Sequence, residues 1–101
     1  MPRTVAFAPE AVSQLKQLHR YIADAAGVRI ADRFADALVS HCESLSTSPE
    51  RAIRRDDIRP GLRLTHFRKR TAIAYTADEF QVTVLGIFHG GQNYLSRMRG
   101  R

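Results

Sequence analysis

The sequence predicts an α+β domain: an N-terminal strand, a helical hairpin, then a three-stranded antiparallel sheet. Three observations carry that prediction. Apolar residues recur at three- and four-residue spacing from Val12 to Leu45, the period of helices buried by one face. From Leu62 to Phe88 the pattern changes to β-branched and aromatic residues that suit a pleated, half-buried surface, among them Ile73, Tyr75, Val82, Val84 and Ile87. Proline, glycine and short polar clusters stand where the pattern changes.

Arg3 to Phe7 reads as the first strand. Pro9 opens a helix, where its missing N–H costs nothing, and Glu10 favours the positive N-terminal end. Val12, Leu15, Leu18 or His19, Ile22 and Ala25 form one stripe, and Gly27 ends the helix in a conformation glycine tolerates. Ile30, Phe34, Ala37, Leu38, His41, Cys42 and Leu45 keep the same spacing along a second helix, stopped by Ser46-Thr47-Ser48-Pro49. Glu50 to Pro60 reads as a polar connector, and Pro60-Gly61 as a turn. Leu62, Leu64 and Phe67 then alternate with Arg63, Thr65 and His66, and Arg68-Lys69-Arg70 falls at a turn or at strand ends. Thr71 to Thr76 and Gln81 to Phe88 complete the sheet around an Ala77-Asp78-Glu79 hairpin, and Gly90-Gly91 ends the last strand.

Residues 1–101 make a single domain whose 44% apolar content supports one core without metal or disulfide help. The longest strongly apolar run, Val84 to Phe88, is far short of the roughly 20 residues of a membrane span. The first residues carry no apolar stretch of signal-peptide length. With a single cysteine, Cys42, no internal disulfide forms, and a cytoplasmic setting is expected. The net charge of +6 is unevenly spread: residues 1–50 carry −1, residues 51–70 carry +6 and residues 71–101 carry +1. Two readings of that basic segment stay open. It meets an acidic partner, or its cations guard a solvated loop and strand edge against mispairing.

Four stretches in order resemble the ParE/RelE superfamily of bacterial type II toxins. Phe7-Ala8-Pro9-Glu10-Ala11 is similar to the strand-to-helix junction, and His19-Arg20-Tyr21-Ile22-Ala23 to a stretch late in the first helix of ParE-type members. Leu45 through Pro49, followed by Pro60-Gly61-Leu62-Arg63, resembles the exit of the second helix and the Gly-Leu-Arg of the next strand. Val84 through Tyr94 resembles the last strand and C-terminal turn of the ParE branch. The resemblance implies a RelE/ParE-like fold and a growth-inhibiting toxin, neutralised by a cognate ParD-like antitoxin encoded beside it. In ParE-type members the implied target is DNA gyrase; in RelE-type members it is messenger RNA on the ribosome.

Residue chemistry favours the first. Cleavage through a 2′-hydroxyl needs groups that move protons and stabilise charge developing on phosphate. The resemblance implies Lys or Arg on the second and third strands of a RelE-type nuclease and an Arg past the last. Arg63 fills the first place, but Thr65 stands two residues on, Ala72 falls near the third-strand cation, and Gly90-Gly91-Gln92 replaces the last. His89 and Tyr94 remain without those cations, so no catalytic residue is assigned and no enzyme is expected.

Other constellations point to structure. His19, His41, His66 and His89 lack the spacing of a zinc site, so no metal or other cofactor is expected. Cys42 sits between Leu38 and Leu45 as a small core hydrophobe. Arg63 reads either as an exposed strand residue paired with Asp56 or Asp57, or as a contact to the target or the antitoxin.

The expectation is therefore a gyrase-binding inhibitor. The candidate target contacts are Arg63, Arg68, Lys69, Arg70 and His89 with Gln92, Tyr94, Arg97 and Arg99 beyond them. Leu18, Tyr21 and Arg63 are the candidate antitoxin contacts, with the antitoxin segment lying across a groove between hairpin and sheet. Operator DNA is met only through the antitoxin complex, and no membrane is involved. The alternatives are a ribosome-dependent mRNA interferase of the RelE type, with Arg68, Lys69 and Arg70 replacing the missing cations, and a non-toxic antitoxin-binding module.

Overall fold

Pro9 fixes where the first helix starts, and Gly27, at φ 101°, fixes where it stops. The computed structural model describes residues 3–90. Its elements run β1 (Thr4–Phe7), α1 (Pro9–Ala26), α2 (Val28–Glu43), β2 (Ile53–Arg54), β3 (Arg63–Phe67), β4 (Thr71–Ala77) and β5 (Gln81–His89), with short 3₁₀ turns at Ser44–Ser46 and Pro49–Arg51. The strands form one sheet in the order β1-β5-β4-β3-β2. β1 runs parallel to β5, and the other neighbours are antiparallel.

The predicted order of elements holds, and the sheet is wider than expected. β1 joins it beside β5, and the connector from Glu50 to Pro60 contributes β2, a two-residue edge strand against Leu64 and Arg63. Two residues are too few to display a period, so nothing in the sequence separated Ile53-Arg54 from loop.

The hairpin covers one face of the sheet. Ala11 and Leu18 from α1 and Leu38 and Cys42 from α2 meet Phe67, Ile73, Tyr75, Val82, Val84 and Ile87 there. Each large side chain in that layer contributes roughly 1.5–3 kcal/mol. The predicted helical stripes hold at Leu15, Leu18, Ile22, Phe34, Leu38 and Cys42 but not at Val12, Ala25 or Ile30, which are exposed. Ala11, Gln14 and Ala31 are buried in their vicinity instead, because α1 turns its Ala11–Gln14–Leu18 row onto β5 and the hairpin tip runs past the sheet.

A second, smaller cluster lies on the opposite face: Ile58, Leu62, Leu64, Ala72, Ala74 and Phe88, with Leu85 against it. β5 serves both faces because its alternation changes phase. A bulge faces the Ala74/Tyr75 step, where Gly86 pairs with Ala74 but Val84 pairs with Tyr75, leaving Leu85 as the extra residue. Val82 and Val84 therefore share the helix face with Ile87, while Phe88 turns to the other. A Cβ on Gly86 would lie 2.6 Å from the Phe88 ring, so only glycine fits that approach. Cys42 is fully buried, and burial pushes its thiol up to about 12, which makes it a core side chain and no nucleophile.

Candidate functional site

β1 flanks β5 only from Gln81 to Val84, so among the described residues the last part of β5 has no strand beside it on that side. Gln14 of α1 fills part of the gap: its Oε1 accepts the N–H of Ile87 at 2.7 Å. That bond fixes the amide orientation, since only the oxygen can accept. The Nε2 donor of Gln14 is then left buried with no hydrogen-bond partner among the described residues, although the side chain is only 8% exposed. A buried donor without an acceptor costs about 1–3 kcal/mol.

Beyond Gln14 an open cleft of about 300 Å³ separates α1 from the end of β5. Leu18 and Ile87 supply its apolar lining, Gln17 and Tyr21 line the helix side, and Arg70, His89 and Gly90 the sheet side. Tyr21 is 63% exposed, with its ring 6.2 Å from that of His89. His89 shares a 2.8 Å hydrogen bond between Nδ1 and the Thr71 hydroxyl. Burial, and then the nearby Arg70 charge, hold its imidazole below the ordinary value of 6.5, which favours the neutral form. Gly90 turns away at φ 70°, and a Cβ there would lie 3.7 Å from the Arg70 guanidinium. The glycine thus ends the strand while leaving room beside the cation.

The rim of the cleft is the β3–β4 turn, where the predicted Arg68-Lys69-Arg70 cluster sits. Arg68 and Lys69 have φ values of 53° and 69°, so both occupy the left-handed region that glycine and asparagine fill most readily. Holding an L side chain there costs about 1 kcal/mol or more per residue. Arg68 recovers part of that by stacking, its guanidinium 4.8 Å from the Phe67 ring centre and 5.7 Å from that of Phe34. Lys69 and Arg70 stand exposed.

The other half of the basic segment is arranged differently. Arg54 pairs with Asp56 at 2.8 Å, and Arg55 grips Asp57 through two bonds of 2.9 and 2.8 Å. Asp56 also accepts the Gly61 N–H at 2.7 Å; this bond above all, opposed by desolvation and helped by Arg54 and Arg63, holds its carboxyl below the ordinary value. Arg63 is not paired with Asp56 or Asp57 as one sequence reading had it. Its Nη1 donates to the Glu50 and Ala52 carbonyls at 3.3 and 3.1 Å, tying the segment before β2 to β3. The reason is local: the aspartates already have Arg54 and Arg55 within two residues.

The sequence-predicted residues therefore separate. Arg68, Lys69, Arg70, His89 and Tyr21 gather at the cleft and its rim, whereas Arg63 lies among backbone carbonyls at the far side of β3. Leu18, a candidate antitoxin contact, belongs to the helix-face core at 7% exposure and shows the cleft only an edge. Gln92, Tyr94, Arg97 and Arg99 lie outside the described residues. Gln14 and Gln17 went unnoticed in the sequence; a glutamine spaced between Ala11 and Leu18 on a buried helical row was the signal for the first.

The other histidines are dispersed. His19 bonds Asp32 across the two helices at 2.7 Å, His41 stacks 5.4 Å from Phe67, and His66 is exposed. No helix among the described residues is long and apolar enough to cross a membrane.

Comparison with known proteins agrees with this architecture. The family model of the ParE toxin of the parDE type II toxin–antitoxin system matches residues 5–94. A solved structure of a chromosomal ParDE toxin–antitoxin system from P. aeruginosa superposes with a TM-score of 0.75 at 13% identity, covering 87% of this chain and 96% of that one. A chain of the RelBE2 toxin–antitoxin complex from Mycobacterium tuberculosis does so with a TM-score of 0.64 at 24% identity, covering 88% and 99%. At such identities the two structures speak for the fold. No curated protein sequence matches significantly.

Proposed function

The chain belongs to the ParE toxin family of type II toxin–antitoxin systems, and from that premise we propose that it inhibits DNA gyrase by binding, without catalysis of its own. A cognate ParD-like antitoxin holds it inactive. The observation that carries this reading is the fate of the nuclease positions. Arg63 is spent on the Glu50 and Ala52 carbonyls, Thr65 stands beside it, and Ala72 is buried in the second cluster. The middle of the sheet thus offers no pair of cations to hold a scissile phosphate. What remains is a cationic turn beside a cleft with an aromatic edge, which suits contact with a protein or a nucleoprotein complex.

One arrangement favours the second reading. Arg70 and the neutral imidazole of His89 share the cleft, and a cation beside a neutral base is what 2′-hydroxyl chemistry asks of a site. A ribosome-dependent RNase built on these two residues would lose messenger cleavage in Arg70→Gln and His89→Gln.

The deciding experiment titrates purified chain into a gyrase supercoiling reaction, scoring trapped cleaved DNA, with a translating extract run in parallel. Inhibition with cleavage trapping and an intact message supports gyrase binding. Messenger cleavage without any effect on gyrase supports the RNase. If folded protein does neither, and its induction without antitoxin leaves growth unchanged, it is a non-toxic antitoxin-binding module.

A further inference from the structure

The cleft has a chemical preference that follows from three features together. Its floor carries a buried donor without a hydrogen-bond partner among the described residues, the Nε2 of Gln14. Its sheet side carries the Arg70 guanidinium, and its helix side the exposed Tyr21. Gln14 and Arg70, two donors of which one is charged, thus line one space bounded by Leu18 and Ile87. No Asp or Glu is among the described residues that line the cleft. Such a space takes an anionic acceptor on a short apolar stem, which describes an aspartate or glutamate side chain.

We propose that this cleft is a carboxylate socket, and that an Asp or Glu of the antitoxin's toxin-binding segment enters it, bridging Gln14 Nε2 and Arg70 while Tyr21 covers its aliphatic stem. The inference rests on the toxin–antitoxin reading and adds the recognition element. Among the described residues that line the space Arg70 is the one cation, with Arg68 turned onto the Phe67 ring and Lys69 outside the lining. Two apolar walls and a neutral amide beside one cation suit a peptide carboxylate better than a phosphate, whose sites gather several cations or a run of backbone N–H groups. It also gives the strained turn a purpose: the three-residue connection Arg68-Lys69-Arg70 places Arg70 just before β4, against Gly90. The Gly90 N–H bonds the Arg70 carbonyl at 2.8 Å, so the Arg70 backbone is fixed relative to the end of β5.

The test uses the intact chain and the antitoxin encoded beside it. Each Asp and Glu in the antitoxin's binding segment is changed singly to Asn or Gln, and affinities are measured against the wild-type chain and Arg70→Gln. Arg70 is exposed, so its replacement leaves the fold intact. One carboxylate is expected to account for about a tenfold or greater loss against the wild-type chain, and for little further loss against Arg70→Gln. The Gln14 side-chain amide resonance should move on binding of the unmodified antitoxin and stay in place for the variant lacking that carboxylate. Equal losses for every acidic position, with no coupling to Arg70 and a static Gln14 amide, would overturn the socket while leaving the toxin reading intact. If the unmodified antitoxin fails to bind the wild-type chain, the toxin–antitoxin reading falls and takes the socket with it. Arg70-dependent displacement of the antitoxin by a single-stranded RNA oligonucleotide, with no carboxylate coupled, would overturn it in favour of phosphate.

Discussion

Residues 51–63 and residues 68–70 come from one basic stretch of sequence, yet they use their charge in opposite ways. In the first, Arg54 and Arg55 are matched to Asp56 and Asp57, and Arg63 is matched to backbone carbonyls. The cations stabilise a loop that has little regular structure of its own. In the second, the described residues offer no carboxylate to the turn: Arg68 lies on aromatic rings, Lys69 points to solvent, and Arg70 lines a cleft. The turn is also backbone-strained, with two L side chains held in the left-handed region. Charge that is neutralised locally builds the fold. Charge kept unmatched, at a cost in strain, marks a surface held for something else.

Removing the turn's charge breaks the comparison most severely. The combined variant Arg68→Gln, Lys69→Gln, Arg70→Gln should weaken target inhibition by about 30-fold or more, whereas Arg54→Gln with Arg55→Gln should change it by less than about threefold. Dose–response curves of purified proteins measure both. Next in size is Arg63→Ala, which frees the Glu50 and Ala52 carbonyls and should cost about 1–2 kcal/mol in urea unfolding. Its effect on inhibition should be no greater than its loss of folded protein explains.

Lys69→Gly sharpens the contrast further. Relief of the left-handed strain should stabilise the chain by about 0.5–1 kcal/mol even as target inhibition weakens, a divergence that a purely structural turn would not show. The loop has a pH signature of its own. The folded value of Asp56 lies below its ordinary 3.8, so its contribution is complete above that value and is lost as pH falls through the lower folded value. Asp56→Asn keeps the acceptor for Gly61 and removes the titration, so thermal melts from about pH 2 to 5 should show a shallower acid loss. The smallest effect is a shift at His89. Arg70 is one of the two causes that lower its value, so Arg70→Gln should move that value upward, as followed by the imidazole proton resonances.

Much of the scaffold was legible because single residues decide it. Pro9 and Gly27 bound the first helix, Pro60-Gly61 makes the turn before β3, and Asp78 closes the β4–β5 hairpin by accepting the N–H groups of Phe80 and Gln81. The turn cluster Arg68-Lys69-Arg70 was also visible, though its left-handed backbone was not, since nothing about Arg or Lys announces that conformation. The bulge at Leu85 was hidden because Val84-Leu85-Gly86-Ile87-Phe88 reads as one apolar run whatever its phase. Gln14 was hidden for a related reason. Its role depends on where β1 stops beside β5, a tertiary fact that helical spacing alone does not contain. Arg63 shows the limit from the other side: its nearest acids in sequence already had closer partners.

The most direct measurement is a side-by-side titration of the wild-type chain, the triple turn variant and the Arg54/Arg55 double variant in a DNA gyrase supercoiling assay. Wild type and the double variant should inhibit equally and trap cleaved DNA, while the turn variant leaves supercoiling intact. Equal inhibition by all three, or none by folded wild type, would contradict the assignment of the Arg68–Arg70 turn as the surface that meets gyrase.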